Sequence, residues 1–312
     1  MMDSSTTSLF RGKVGILLRA ILAVVLLVLL FQFVDIRGVA AAFSRAKTGY
    51  LLGALALVVL NLGLQMAKWR YFVRLVNPES TNLETTASLL FGISLGAVTP
   101  GQIGEFGGRA LRHRSLAAGS VVGLTLVDKL QMMCVMGVAG SVCLVVLLHP
   151  PFPFGVLSAT FLCLTFTFLF FIAGSLFTLI SRAMPRLREH QLFKEFISAV
   201  GIFKKKDLLV SLTLSASFYG VIYLQMFFLL NAFDHVSAGD AFLGFGAMMF
   251  VKSLLPISLG DLGVREATSV YFFSLCGVAH STSLSASLLL FTINILLPSA
   301  LGLLFIPKLP AK

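Results

Sequence analysis

Charge is scarce in this chain. Only 12% of its 312 residues are Asp, Glu, Lys or Arg, against about a quarter in an average soluble domain. With 57% apolar residues and a mean hydropathy of +0.96, too little polar surface remains to cover a globule in water. An ordinary cytosolic enzyme is excluded, and so is a disordered or fibrous chain. Acids are rarer than bases, 13 Asp and Glu against 24 Lys and Arg. In a membrane chain such an excess sets topology and meets anionic lipid head groups, so no nucleic-acid partner is expected. Cysteine is limited to Cys134, Cys143, Cys163 and Cys276, all in apolar stretches and none in CxxC spacing. They read as buried free thiols, and a disulfide frame is not expected. His113, His149, His190, His235 and His280 are scattered at helix ends or loops, so no metal site is expected. No GxxxxGK[ST] phosphate loop occurs, which points any driving force to a gradient or a lipid imbalance. No cofactor is expected.

What the chain does have is long apolar blocks. A spanning helix needs about 20 mainly apolar residues. The candidates are Val14–Val34, Tyr50–Phe72, Gly119–Leu148, Phe154–Ile180, Leu208–Ala232 and Ser283–Ile306. Val14–Val34 is expected to be a retained helix, because its apolar run is too long for a signal peptide and lacks a cleavage site followed by a soluble domain. Thr86–Ala118 and Asp240–Ala279 are broken in the middle by Pro, Gly and charges. Pro removes a backbone donor and Gly weakens a helix, so each stretch reads as a re-entrant pair of half-helices. The expected fold class is an all-α polytopic membrane protein forming a single membrane domain, residues 1–312, with about six transmembrane helices plus two re-entrant hairpins.

Basic residues orient this plan. With both termini cytoplasmic, Arg11, Lys13, Lys68, Arg70, Arg74, Arg112, Arg114, Lys308 and Lys312 fall inside, as does the basic loop 181–207 with Lys204, Lys205 and Lys206. The external loops His149–Pro153 and Phe233–Gly239 carry no Lys or Arg, as the positive-inside rule requires. The Asp35–Gly49 loop, with Arg37, Arg45 and Lys47, runs against it. Leu187–Phe203 has helical apolar spacing and is expected to lie along the cytoplasmic surface, its basic neighbourhood meeting anionic lipids. A cell (inner) membrane location is expected.

The two broken segments share a motif. Pro100-Gly-Gln-Ile-Gly-Glu-Phe-Gly-Gly-Arg109 aligns without gaps on Pro256-Ile-Ser-Leu-Gly-Asp-Leu-Gly-Val-Arg265, at an offset of 156 residues. The halves are then 14–148, with hairpin 86–118, and 154–306, with hairpin 240–279. Three crossings separate the hairpins, so they enter from opposite faces. That is an inverted-topology repeat, a plan many transporters use.

Ionisable side chains at membrane depth are costly and normally face a cavity or each other. Glu105 and Arg109 stand at i, i+4, and Asp261 and Arg265 repeat that spacing, with Glu266 following and Lys252 before the break. Helix N-termini combined with Arg suit an anion, above all a phosphate. The expected substrate-binding set is Pro100, Gly104, Glu105, Arg109, Lys252, Pro256, Gly260, Asp261, Gly263, Arg265 and Glu266. Glu105 and Asp261 are expected to pair with the arginines when the site is empty, and Asp128 to balance a hairpin arginine or carry a coupling proton. Salt bridges that merely hold the hairpins remain the alternative. Gly92–Gly96 and Gly119–Gly123 read as helix-packing contacts.

At Thr99–Glu105 with Arg109, and at Leu255–Glu266, the chain resembles the lysylphosphatidylglycerol synthase transmembrane-region family, also called flippase-like integral membrane proteins. The resemblance covers about Val14 to Ile306. It implies a polytopic protein that moves a lipid or lipid-linked head group between leaflets. Asp261 stands where members often have a small residue. The soluble aminoacyl transferase domain fused to the best-known relatives is not expected here, so transport is favoured over synthesis. The implied partner is a membrane lipid with a phosphate head group, and a homo-oligomer is left open. The rival readings are a membrane-embedded transferase acting on a lipid phosphate, with Glu105 or Asp261 as base, and a non-catalytic envelope-assembly factor docking through the 181–207 loop.

Overall fold

Polar caps and left-handed residues punctuate the apolar blocks. The computed structural model describes residues 46–99, 101–148, 190–255, 261 and 263–306. The expected spans Val14–Val34 and Phe154–Ile180, and the motif residues Pro100, Pro256 and Gly260, lie outside them. The first half contributes α1 (Thr48–Val76), α2 (Asn82–Ala97), α3 (Gly104–Arg112) and α4 (Ala118–Leu148). A short α5 (Gln191–Gly201) follows. The second half contributes α6 (Lys205–Phe233), α7 (Ala238–Leu254), α8 (Val264–Leu275) and α9 (His280–Phe291). From α9 the chain runs through a π-helical turn, Thr292–Leu296, into α10 (Leu297–Gly302) and a 3₁₀ turn, Leu303–Phe305.

All regular structure among the described residues is helical. Four stretches, α1, α4, α6 and His280–Phe305, are long and apolar enough to cross a membrane, and they coincide with four of the expected spans. The protein is therefore a helical membrane protein. Val59, at 77% exposed, and Leu304, at 78%, show the apolar outer surface that lipid demands. Cys134, Cys143 and Cys276 are free thiols, as expected.

Both broken segments are helix–break–helix units, and both begin earlier than apolarity alone indicates. The reason is capping: Thr81 Oγ1 accepts from the Glu84 amide at 3.2 Å, and Ser237 Oγ from the Asp240 amide at 3.1 Å. A hydroxyl at the N-cap satisfies one of the free N–H groups of the first turn. Thr81 and Ser237 stand 156 residues apart, so the repeat extends to its caps. The breaks themselves are left-handed, with φ of 58° at Gly101 and Gln102, 65° at Asp261 and 82° at Gly263. Such residues cannot continue a right-handed helix.

Contacts between the halves are reciprocal. Helix α7 packs on α4, and α2 packs on α10. At the first contact Gly140 leaves room for the Gly246 carbonyl and the Phe250 side chain; at the second Gly302 leaves room for the Leu90 carbonyl and Ser94. Gly246 and Leu90, like Phe250 and Ser94, are 156 positions apart. Interchanged partners of this kind are what a two-fold relation between the halves produces. Helix α5 falls within the stretch Leu187–Phe203 expected to be helical and is seated on Gly119 and Gly123 of α4, whose missing side chains admit the Leu192 and Phe196 carbonyls. The Gly119–Gly123 spacing is therefore a packing contact.

The last span departs from a straight helix. Pro298 has no N–H to give the Asn294 carbonyl, and its ring crowds that carbonyl. The ladder widens just before it, with the Leu297 amide bonding Thr292 O, five residues back.

Candidate functional site

The two breaks touch each other. Gln102 Nε2 donates to Asp261 Oδ2 at 3.0 Å, Lys252 Nζ donates to the same oxygen at 2.7 Å, and Lys129 Nζ donates to Gln102 Oε1 at 3.1 Å. Gln102 and Asp261 are the non-glycine residues with positive φ among the described residues. Each costs roughly 1–2 kcal/mol against a right-handed conformation. Backbone outliers of this kind concentrate at functional sites and tight turns.

From Lys129 a file of alternating charges runs into the first half. Lys129 pairs with Glu105, Glu105 with Arg109, Arg109 Nη1 with Asp128 Oδ2 at 2.9 Å, and Asp128 Oδ1 with Lys68 Nζ at 2.6 Å. Lys68 also donates to Ser215 Oγ of α6. Arg109 is only 2% exposed and lies 4.3 Å over the Trp69 ring, a cation–π contact. Its place comes from the hairpin's own packing: Gly108 sits against the Gly92 backbone, while Gly92 and Gly96 face the Arg109 and Glu105 side chains. The Gly92–Gly96 spacing is thus a close contact between the hairpin arms.

The second half is wired differently. Arg265 lies 4.8 Å over the Phe291 ring, and its Nε is 3.7 Å from Glu266 Oε1. The expected Asp261–Arg265 pairing gives way to Lys252–Asp261. The i, i+4 spacing aligns side chains only within a helix. Glu105 lies inside α3, whereas Asp261 precedes α8 and its left-handed backbone turns it toward Lys252 and Gln102.

Several backbone donors at the expected helix-end anion site are already occupied. The Gly104 amide donates to Thr99 Oγ1 at 2.7 Å, and the Glu105 amide to the Gln102 carbonyl at 3.0 Å. On the second arm the Gly263 amide is taken by Glu266 Oε2 at 2.7 Å and the Arg265 amide by the Asp261 carbonyl at 3.0 Å. These four backbone donors are spent on the turns. Gly104 packs against the Leu95 carbonyl. Glu266 acts as a cap that also receives Ser287 Oγ at 3.2 Å, and it lines a separate groove with Tyr271 and His280.

Both arginines line one cavity of about 470 Å³. Its charged wall carries Lys68, Arg109, Lys129, Lys252 and Arg265 against Glu105, Asp128 and Asp261, a surplus of positive charge. The same cavity is lined by Met132, Met133, Met136, Met249, Phe106 and Phe218. Lys129 is the accessible end of the charge file, its side chain 31% exposed beside 2% for Arg109. Gly101 and Gln102 reach the cavity wall; Gly104 and Gly263 are not among the lining residues. Lys68, assigned above to the topology-setting bases, is instead buried in this network. Its signal in the sequence was a charge set within an apolar block. Gln102 and the amides Asn61, Gln65 and Asn294, which also line the cavity, are residues that reading for charges passed over.

At the far end of the first hairpin, Glu84 accepts from the Ser115 amide at 2.8 Å and from the Arg114 amide. Burial presses its carboxyl upward, but these hydrogen bonds outweigh it and hold the group below the ordinary carboxylate range. Burial holds the neighbouring His113 imidazole below its usual value.

A family model described as Lysylphosphatidylglycerol synthase TM region matches residues 16–302. Comparison with curated proteins finds no match.

Proposed function

The chain belongs to the Lysylphosphatidylglycerol synthase TM region family, and from that premise we propose that it moves phosphate-bearing lipid head groups between the leaflets of the cell membrane. The observation that carries this reading is the shared cavity. Residues of both breaks line it, and its lining combines a surplus of cationic side chains with an apolar part. A lipid head group needs the first and the root of its acyl chains suits the second. The hairpins are read as re-entrant from opposite faces, so that alternate opening around a fixed site exposes it to either leaflet.

The charge file supplies the exchange. A phosphate arriving at Lys129 competes with Glu105 for the ammonium and, further in, with Glu105 and Asp128 for Arg109. Arg109 and Arg265 then hold it from the two halves, because guanidinium matches phosphate in bidentate geometry. The carboxylates keep the arginines neutralised while the cavity is empty, so neither cation is left bare at membrane depth.

Purified protein in liposomes, supplied with labelled phosphatidylglycerol in one leaflet, tests the reading. The wild type is expected to transfer the lipid chemically unchanged. Arg109→Ala combined with Arg265→Ala is expected to lower the rate at least tenfold, as loss of one charged hydrogen bond of roughly 1.5–3 kcal/mol already implies. Full transport by a folded double variant, or conversion of the lipid into a new product, overturns it.

A further inference from the structure

The hydrogen bonds where the two breaks meet form a relay that begins and ends on ammonium groups. We infer that this relay is a latch: it holds the breaks together while the cavity is empty, and an anion drawn to Lys129 and Lys252 releases it. The inference rests on the translocation reading and adds what ties opening to the presence of cargo.

Lys129 fixes the direction of the relay. An ammonium can only donate, so the Gln102 oxygen faces Lys129 at 3.1 Å and the amide nitrogen is turned to Asp261 Oδ2 at 3.0 Å. Lys252 donates to that same oxygen at 2.7 Å. All four residues line the cavity. Lys68, at the other end of the charge file, spends its donors on Asp128 Oδ1, the Asp128 carbonyl and Ser215 Oγ. Lys129 gives two of its three to Glu105 and Gln102, and its side chain is 31% exposed. An anion in the cavity therefore acts first at Lys129.

A phosphate oxygen competing for Lys129 removes the donor that orients Gln102. The amide is then free to turn, and its oxygen set against the Asp261 carboxylate places two acceptors face to face. At the far end the anion competes with Asp261 for Lys252. One ligand thus weakens the contact twice. Gln102 and Asp261 both stand in left-handed backbone outside the helices, so they part without unpacking a helix. Packing between the halves recurs in reciprocal form, as at Gly140 and Gly302. Here Glu105, the counterpart of Asp261, is instead turned to Arg109 and Lys129, as a single latch requires.

Spin labels on Ile103→Cys and Leu255→Cys, exposed positions beside the two breaks, report their separation by electron paramagnetic resonance in a background lacking the native cysteines. In dodecyl maltoside micelles, which carry no phosphate, the short separation is expected. Phosphatidylglycerol is expected to shift the closed-to-open ratio about tenfold toward a longer one, as loss of one charge-assisted hydrogen bond implies. Diacylglycerol with the same acyl chains is expected to leave it unchanged. Gln102→Gly keeps the left-handed turn, which glycine adopts freely, and deletes the relay, so the longer separation is expected without lipid. Should that variant fail to fold, Asp261→Gly is expected to behave alike. A separation indifferent to phosphatidylglycerol, an equal response to diacylglycerol, or a folded Gln102→Gly that stays closed until lipid is added overturns the latch. Liposome transfer of phosphatidylglycerol with no change in separation leaves translocation standing without the latch. A change in separation without transfer overturns translocation and leaves an anion-triggered opening in place.

Discussion

Arg109 meets Glu105, Asp128 and the face of Trp69 at once, and this is how a buried guanidinium is tolerated in so apolar a chain. The arrangement depends most on Asp128, whose two oxygens serve Lys68 and Arg109 separately. Asp128→Asn removes the shared counter-charge from two buried cations. The expected loss of stability is about 3–5 kcal/mol, the cost of breaking a buried pair from one side. Lys129→Gln, at the accessible end of the file, is expected to cost less than about 1 kcal/mol. Thermal unfolding in detergent, followed by the fluorescence of Trp69, the chain's single tryptophan, checks both. Equal effects at the two positions contradict the assignment of Asp128 as the hub. At this scale the sequence was only half legible. The i, i+4 rule found Glu105–Arg109 because both lie on α3. It misjudged Asp261, which stands outside α8, since a spacing rule presupposes a helix.

The helical hairpin α2–α3 is the element that delivers those charges, and its arms approach through glycine. A Cβ at Gly108 would lie 2.8 Å from Gly92 Cα, backbone against backbone, whereas one at Gly107 meets nothing within 4 Å. Gly108→Ala is therefore expected to destabilise by about 1–3 kcal/mol through overpacking and to displace Arg109 from Trp69. Gly107→Ala is expected to be neutral or to stabilise by up to about 1 kcal/mol, the helix propensity difference. Melting temperatures of the two variants, measured side by side, check the pair. Helix existence was readable from apolar blocks, and the breaks from Pro and Gly. The starts of α2 and α7 were not, because polar caps lengthen a helix without adding hydropathy. The widened turn near Asn294 was signalled only by one proline inside an apolar run.

Across the whole molecule, α2 against α10 and α7 against α4 tie each half to the other, and the breaks meet at Gln102 and Asp261. If the cavity opens alternately, that contact must part. In a background lacking the native cysteines, Gln102→Cys with Asp261→Cys, joined by a short bis-maleimide linker, is expected to stop lipid transfer. Each single variant treated with the same reagent is expected to retain it. Undiminished transfer by the linked protein would show that the tips need not separate.

Local chemistry in the chain was enough to specify helices, breaks and a duplicated motif, because apolar run length, proline and glycine act over a few residues. The partners of Lys68, Gln102, Asp261 and Asn294 were settled only in three dimensions. They come from helices far apart in the chain, and a charge or amide in an apolar block pairs with whatever packing brings within about 3 Å.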